Sequence, residues 1–292
     1  MMNRRDLILG GVALLGGYAL GKPTRSALGA SGSNGGAAAG WVNPYITDGL
    51  VAQLDGEWNV EGGVHDPSAT TWVDLVNGIP LTIVNGAFTN NSIVLTGGNI
   101  YSQSIPAITQ AIASGEATIE YGGVFRPREG ISYSNESTGF KIGGFHSSAW
   151  TSSSGYTQGA TFWSKNNANS SSYGNTYPTQ YETRWGWDDS MSYHVAPSSI
   201  RAGAQQGGIG QRACTVQMVI SSGIGNSYVD TVFFNSAMVN TAATYKNSGF
   251  TLGSYTARSN MEYYFFRVYS RALTAAEIAA NYAVDKARFG LP

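Results

Sequence analysis

From Trp41 onward, apolar residues recur either alternately or in short runs bounded by Gly, Asn or Pro, which is the pattern of β-strands. The segments that read this way are 49–54 (GLVAQL), 79–84 (IPLTIV), 92–95 (SIVL), 117–125 (ATIEYGGVF), 139–145 (GFKIGGF) and 159–164 (GATFWS). They continue at 214–220 (CTVQMVI), 227–234 (SYVDTVFF), 249–253 (GFTLG) and 262–269 (EYYFFRVY). In Ala117–Tyr121 the alternation puts Ile119 on one face and Thr118 and Glu120 on the other. Phe266 and Val268 alternate with Arg267 and Tyr269, predicting a strand with one apolar face. Some ten short strands at this spacing, with one clear helix, predict an all-β fold: an antiparallel β-sandwich rather than a parallel α/β sheet.

The helix closes the chain. Thr274 and Glu277 have the spacing of a capping box, with Thr274 as N-cap and Glu277 at the third helical position. Leu273 and Ile278 occupy the positions of a hydrophobic staple. Leu273, Ile278 and Tyr282 would line one apolar face, and the helix should run to about Arg288, with Gly290 as its stop.

These closing residues carry a family resemblance. Phe266-Arg-Val-Tyr-Ser-Arg-Ala-Leu-Thr-Ala-Ala-Glu-Ile-Ala-Ala-Asn-Tyr282 resembles the end of laminin-G-like jelly-roll domains of the concanavalin A-like lectin and glucanase superfamily. Asp48-Gly-Leu-Val-Ala-Gln-Leu-Asp-Gly-Glu57, His65-Asp-Pro and Thr71-Trp-Val-Asp-Leu75 resemble the opening of such domains in gut bacterial surface and phage or prophage structural proteins. The middle third shares only the strand rhythm. The resemblance implies a jelly roll with a single short C-terminal helix. Read physically, Arg267 and Arg271 have structural parts, each anchoring a turn through carbonyl or carboxylate contacts.

The first forty residues read differently. Arg4 and Arg5 precede an apolar stretch from Leu7 to Leu20. That is shorter than the roughly 20 residues of a membrane span, but it suits the apolar core of an export signal. Residues 1–30 therefore resemble a twin-arginine signal, giving an extracellular or cell-surface location. The alternative is an assembly segment retained in a virion. Residues 31–40 have a Gly/Ala/Ser linker composition, leaving 41–292 as the folded domain.

Composition narrows the partners. Charged residues make up 12% of the chain and the net charge is −1, with no long basic run, so there is little to drive nucleic-acid binding. The lone cysteine, Cys214, excludes an intrachain disulfide and reads as a small core residue.

Among the carboxylates, no pair stands out as spaced for glycoside hydrolysis. Glu116 and Glu120 lie four apart on a strand, roughly 13 Å at about 3.3 Å per residue. That exceeds the spacings of about 5–5.5 Å or about 6.5–9.5 Å used in glycoside hydrolysis. Asp188 and Asp189 are adjacent and would point to opposite faces, while Asp55 and Glu57 sit at a strand end. His65, His146 and His194 show no metal-ligand spacing. Asp55, Glu57, Asn59 and Asp66, with Glu61 and Asp74 nearby, place oxygen donors that suit calcium, or simply cap turns in a solvated loop.

Residues 145–195 are the segment best suited to a ligand. They hold Trp150, Trp163, Trp185 and Trp187, with Tyr156, Tyr173, Tyr177, Tyr181 and Tyr193, among Asn166, Asn167, Asn169 and Asn175. Sugars present apolar C–H faces rimmed by hydroxyls, so aromatic platforms beside amide donors match them. Trp150, Tyr156, Tyr173, Trp185 and Trp187 are the candidate contacts, although some of these rings could equally fill the core. The sequence thus points to a non-catalytic module that attaches to a glycan or another extracellular surface. The alternatives are a virion structural protein contacting other virion proteins and, third, a glycoside hydrolase of the same fold.

Overall fold

A computed structural model describes residues 42–102, 105–127, 140–146, 161–165, 180–185, 192–195, 213–222, 224–238, 249–253 and 259–292. Among them are fourteen strands and two helices. The strands are β1 (Leu50–Asp55), β2 (Thr71–Val73), β3 (Pro80–Phe88), β4 (Ile93–Ser102), β5 (Ala117–Pro127), β6 (Phe140–His146) and β7 (Thr161–Lys165). The rest are β8 (Gln180–Trp185), β9 (Ser192–Val195), β10 (Cys214–Ser221), β11 (Ile224–Val229), β12 (Val232–Met238), β13 (Gly249–Gly253) and β14 (Ser259–Tyr269). The helices are α1 (Pro106–Ala113) and α2 (Ala275–Phe289).

The antiparallel β architecture is as the hydrophobic pattern predicts. Neighbours run β12-β11-β10-β5-β14-β4-β13-β6-β7-β8-β9, with β1 on β14 and the β2–β3 pair on β4. The two ends of this path, β12 and β9, approach each other, so the sheet turns back on itself. Strand β4 makes the bend. Its residues Ile93–Thr96 pair with β14, whereas Asn99–Ser102 pair with β13. The corner falls at Gly97-Gly98, where a Cβ on Gly98 would lie 2.0 Å from the Val84 carbonyl oxygen. Only glycine permits so close a crossing.

The main core lies on one face of β14, β5 and β10. Phe266, Val268, Ile119, Tyr121, Met218 and Cys214 pack there with Leu54, Trp72, Leu81, Ile93, Leu95 and Ile100. Helix α1 adds Ile108 and Ala111 to the same core, and Ile105 joins it just before the helix. The sequence reading missed this helix, although Pro106 at its first position and Gly115 beyond its end are ordinary boundary signals. Eight residues between two strands give too few turns for a helical period to stand out. The segment read as one strand over 227–234 is instead a hairpin. Asp230 and Thr231 turn at φ 48° and 69° between β11 and β12.

Helix α2 begins and ends as its caps dictate. Thr274 accepts from the Glu277 amide while the Glu277 side chain reaches back to the N-cap amide, and Gly290 closes the helix in the left-handed region. Its buried face differs from the expected stripe. Ile278, Asn281, Asp285 and Phe289 are the buried residues, two of them polar, and Tyr282 lies only partly buried beside Phe265 and Phe289. The cause lies in the strand beneath. A bulge at Tyr264 shifts the register of β14, so Met261 and Tyr263 share the core with Phe266 and Val268. Phe265, Arg267 and Tyr269 then face the helix, and all three are buried. Phe266 and Val268 give β14 its expected apolar face, and α2 covers the opposite face, so both are buried. Gly122 accommodates the bulge, since a Cβ there would meet the Phe265 ring at 2.4 Å.

Candidate functional site

The most highly organised polar chemistry among the described residues lies between α2 and the sheet. Arg267 stands on β14 directly opposite Gln53 of β1 and Glu120 of β5, and Glu120 stands opposite Gln217 of β10. All four are buried. Arg267 donates through Nε to Glu120 Oε2 at 3.0 Å and through both terminal nitrogens to the Asp285 carboxylate at 2.9 and 2.5 Å. Its guanidinium lies 3.9 Å from the ring centres of both Tyr45 and Phe265, so aromatic faces cover the surfaces its hydrogen bonds leave open. Asn281 donates to Glu120 Oε2 and to the Tyr269 hydroxyl, each at 2.9 Å, and accepts from the Ile46 amide at 3.0 Å. The short N-terminal strap 43–47 is thereby fixed to the C-terminal helix.

A second arginine extends the cluster. Arg288 binds both oxygens of Asp55 at 2.7 and 2.8 Å, Glu57 Oε2 at 2.8 Å and the Tyr45 hydroxyl at 2.6 Å. Its guanidinium stacks 3.6 Å over Trp58. Burial pushes the Glu120 and Asp285 carboxyls above the usual carboxylate range, against the pull of Arg267. The Tyr45 hydroxyl is also pushed well up by burial, so it remains neutral.

The donors read as a cation set therefore face Arg288 and one another. Asp55 also accepts from the amides of Glu57 and Trp58, the bonds of a side-chain-capped turn. Asn59 and Asp66 exchange hydrogen bonds through the Asn59 side chain and the Asp66 backbone at 2.6 and 2.7 Å, and the Asp66 carboxylate holds Ser68. Asp74 is fully buried and accepts from the amides of Gln53 and Val76 and from Asn77 Nδ2. Among the described residues, no group of three or more His, Cys, Asp or Glu side chains converges as metal ligands would. Arg288, which the sequence reading passed over, supplies the positive charge that Asp55 and Glu57 face.

The carboxylates weighed for hydrolysis are likewise engaged. Glu120 is held by Arg267 and Asn281, while Glu116 accepts from the Ser222 amide at 2.8 Å and the Ser221 hydroxyl at 3.2 Å. His65 packs edge-on to Phe88 with ring centres 6.5 Å apart, and His146 and His194 fall on β6 and β9. Arg271 anchors a turn as expected, binding the Asp48 carbonyl and the Glu277 carboxylate, whereas Arg267 anchors no turn but joins β14 to Glu120 of β5 and Asp285 of α2.

Of the candidate ligand residues, Trp185 falls at the end of β8, its backbone opposite Ser192 of β9. Trp163 is on β7 opposite Glu182, Tyr181 is on β8 opposite Ser164, and Tyr193 is on β9 opposite Arg184. Four rings of the aromatic-rich segment thus fall on three adjacent antiparallel strands. Trp150, Tyr156, Tyr173 and Trp187 lie outside the described residues, as do Asp188 and Asp189.

What sequence reasoning missed is the pairing of Arg267 with Asp285 and of Arg288 with Asp55. One signal was present. Asn281 and Asp285 fall on the same helical stripe as Ile278 and Phe289, so a polar partner on the covered strand was needed.

Among the described residues, no helix is long and apolar enough to cross a membrane. No protein-family model matches the chain, and no characterised protein matches it by sequence. Solved structures do resemble it in shape. A Trypanosoma rangeli sialidase in complex with sialic acid aligns with a TM-score of 0.53 and 14% identity, covering 84% of this chain and 34% of that one. The receptor binding domain of a botulinum neurotoxin C/D mosaic serotype aligns with a TM-score of 0.53 and 11% identity, covering 82% and 52%. This chain therefore spans about a third of the sialidase and about half of the toxin domain. At these identities the likeness is one of fold.

Proposed function

We propose that this chain is a non-catalytic recognition module of the laminin-G-like, concanavalin A-like kind, and that it attaches to glycan. The observation that carries this reading is that four rings of the Trp- and Tyr-rich segment, Trp163, Tyr181, Trp185 and Tyr193, fall on three adjacent antiparallel strands, β7–β9. Aromatic rings pack on the C–H face of a sugar, so a set of them on adjacent strands suits a glycan. The fold neighbours support it in a general way. One is described as a receptor binding domain, and another was solved with sialic acid. The weighed carboxylates Glu116 and Glu120 favour recognition over hydrolysis, because each is occupied by a structural partner.

A glycan array tests the reading directly. The wild-type chain is expected to retain a set of glycans, and the Trp185→Ala/Trp187→Ala double variant to lose at least tenfold in affinity for them. Absence of any bound glycan with folded wild-type protein would remove the lectin reading.

A further inference from the structure

The charges buried beneath α2 do not balance if every acid is ionised. Arg267 and Arg288 bring two positive charges, whereas Glu120, Asp285 and Asp55 bring three negative ones, each of these acids at most 1% exposed. Glu57 is 43% exposed and leaves its charge largely to solvent. One uncompensated negative charge in such a place is costly.

The hydrogen bonding shows a deficit of one proton at the same spot. Glu120 Oε2 accepts from Arg267 and Asn281, but Glu120 Oε1 is buried and accepts from no donor among the described residues. Directly across the β5–β10 pair, Gln217 Oε1 is also buried without a donor, while its Nε2 donates to Thr215 Oγ1 at 2.8 Å. Side chains directly opposed on adjacent strands share a face, with Cβ atoms about 4.5–5.5 Å apart. Two acceptor oxygens thus stand on neighbouring strands with no hydrogen between them. Reversing the Gln217 amide would satisfy both oxygens, but it would leave the excess charge in place.

We infer that Glu120 is carried as the neutral acid in the folded protein, its Oε1 proton donated to Gln217 Oε1, leaving two arginines against two aspartates under α2. The groups that bear on this proton are Arg267 and Tyr269 from β14, Asp285 and Asn281 from α2, Tyr45 from the strap and the uncharged Gln217 from β10. The proton is a pH-sensitive part of the helix seat. Burial makes the folded state hold it more tightly than the unfolded chain, where a glutamate titrates near about 4.3. The stability it confers is therefore complete below that value and is lost as pH rises through the raised folded value.

Carboxyl-13C-glutamate labelling of the full chain, read by NMR, tests this. At neutral pH one glutamate carboxyl is expected to show the shift of a protonated acid, and that signal is expected to be missing in Glu120→Gln. The same variant should melt within about 3 °C of wild type at pH 7, on the scale of a few °C per kcal/mol, and should lose the decline in stability with rising pH. If all glutamates are ionised at neutral pH, the inference fails. It fails equally if Glu120→Gln melts far below wild type, as a broken buried ion pair would. Should that variant not fold, Gln217→Met removes the proposed acceptor and must shift the titration of the protonated signal; an unmoved titration overturns the assignment.

Discussion

The two faces of β14 are built on opposite principles. On one face Met261, Tyr263, Phe266 and Val268 join a continuous apolar core whose members could be exchanged for others of similar volume. On the other, Arg267 stands between Phe265 and Tyr269 and meets Asp285, Glu120, Asn281 and the strap residue Tyr45. Both are equally buried, yet they do different work. The apolar face holds the sheet layers together without regard to register, because dispersion and the hydrophobic effect have little directionality. The polar face fixes where α2 and the strap sit, because a bidentate arginine–carboxylate pair accepts one geometry.

Four changes would break or sharpen this contrast. The largest effect is expected from Arg267→Ala, which strands the Asp285 charge in the interior and leaves Glu120 without its arginine partner. Loss of one partner of a buried ion pair costs about 3–5 kcal/mol, to be read from denaturant unfolding. Replacing Arg267, Glu120 and Asp285 together by Met, Leu and Leu should recover most of that loss. If the triple variant is no better than the single one, the charges contribute net stability rather than geometry. A smaller effect is expected at the helix start. Thr274→Ala removes the capping box and should cost about 1 kcal/mol, read as a lowered melting temperature with the sheet unaffected. The smallest is electrostatic and lies at the surface. Arg271 and the Thr274 amide hold the Glu277 carboxyl down to about 2. A lowered folded value means stability present above the unfolded value and lost as pH falls through the folded one. Glu277→Gln should therefore flatten the acid limb of a stability profile between roughly pH 4.5 and 2, modestly, because the pair faces solvent.

The contrast also explains what could be read in advance. The inner face was legible as period-two alternation, down to Ile119 facing away from Thr118 and Glu120. The capping box and Gly290 were legible because each acts through backbone groups within a few residues. The cluster under α2 was not. Arg267 and Glu120 are 147 positions apart, and Arg288 and Asp55 are 233 apart. No local period links such residues. Asp55, Glu57, Asn59 and Asp66 illustrate the difficulty. Their alternation suited either a cation-binding loop or carboxylates that cap turns, and the charge that Asp55 and Glu57 face comes from the far end of the chain. The candidate ligand residues were placed by chemistry alone, and among the described residues the backbone adds a register for Trp185, at the end of β8 opposite Ser192 of β9.

By itself the sequence determined the antiparallel β class, most strand positions, the closing helix with both caps, and the concentration of aromatics in residues 145–195. These are consequences of alternation, capping and composition, and all act over short stretches of chain. Tertiary structure alone decided that β4 bends at Gly97-Gly98, that a bulge at Tyr264 turns Arg267 toward the helix, and that Asn281 and Asp285 are buried. Each depends on which strand lies beside which, and so on contacts between segments that the sequence leaves far apart.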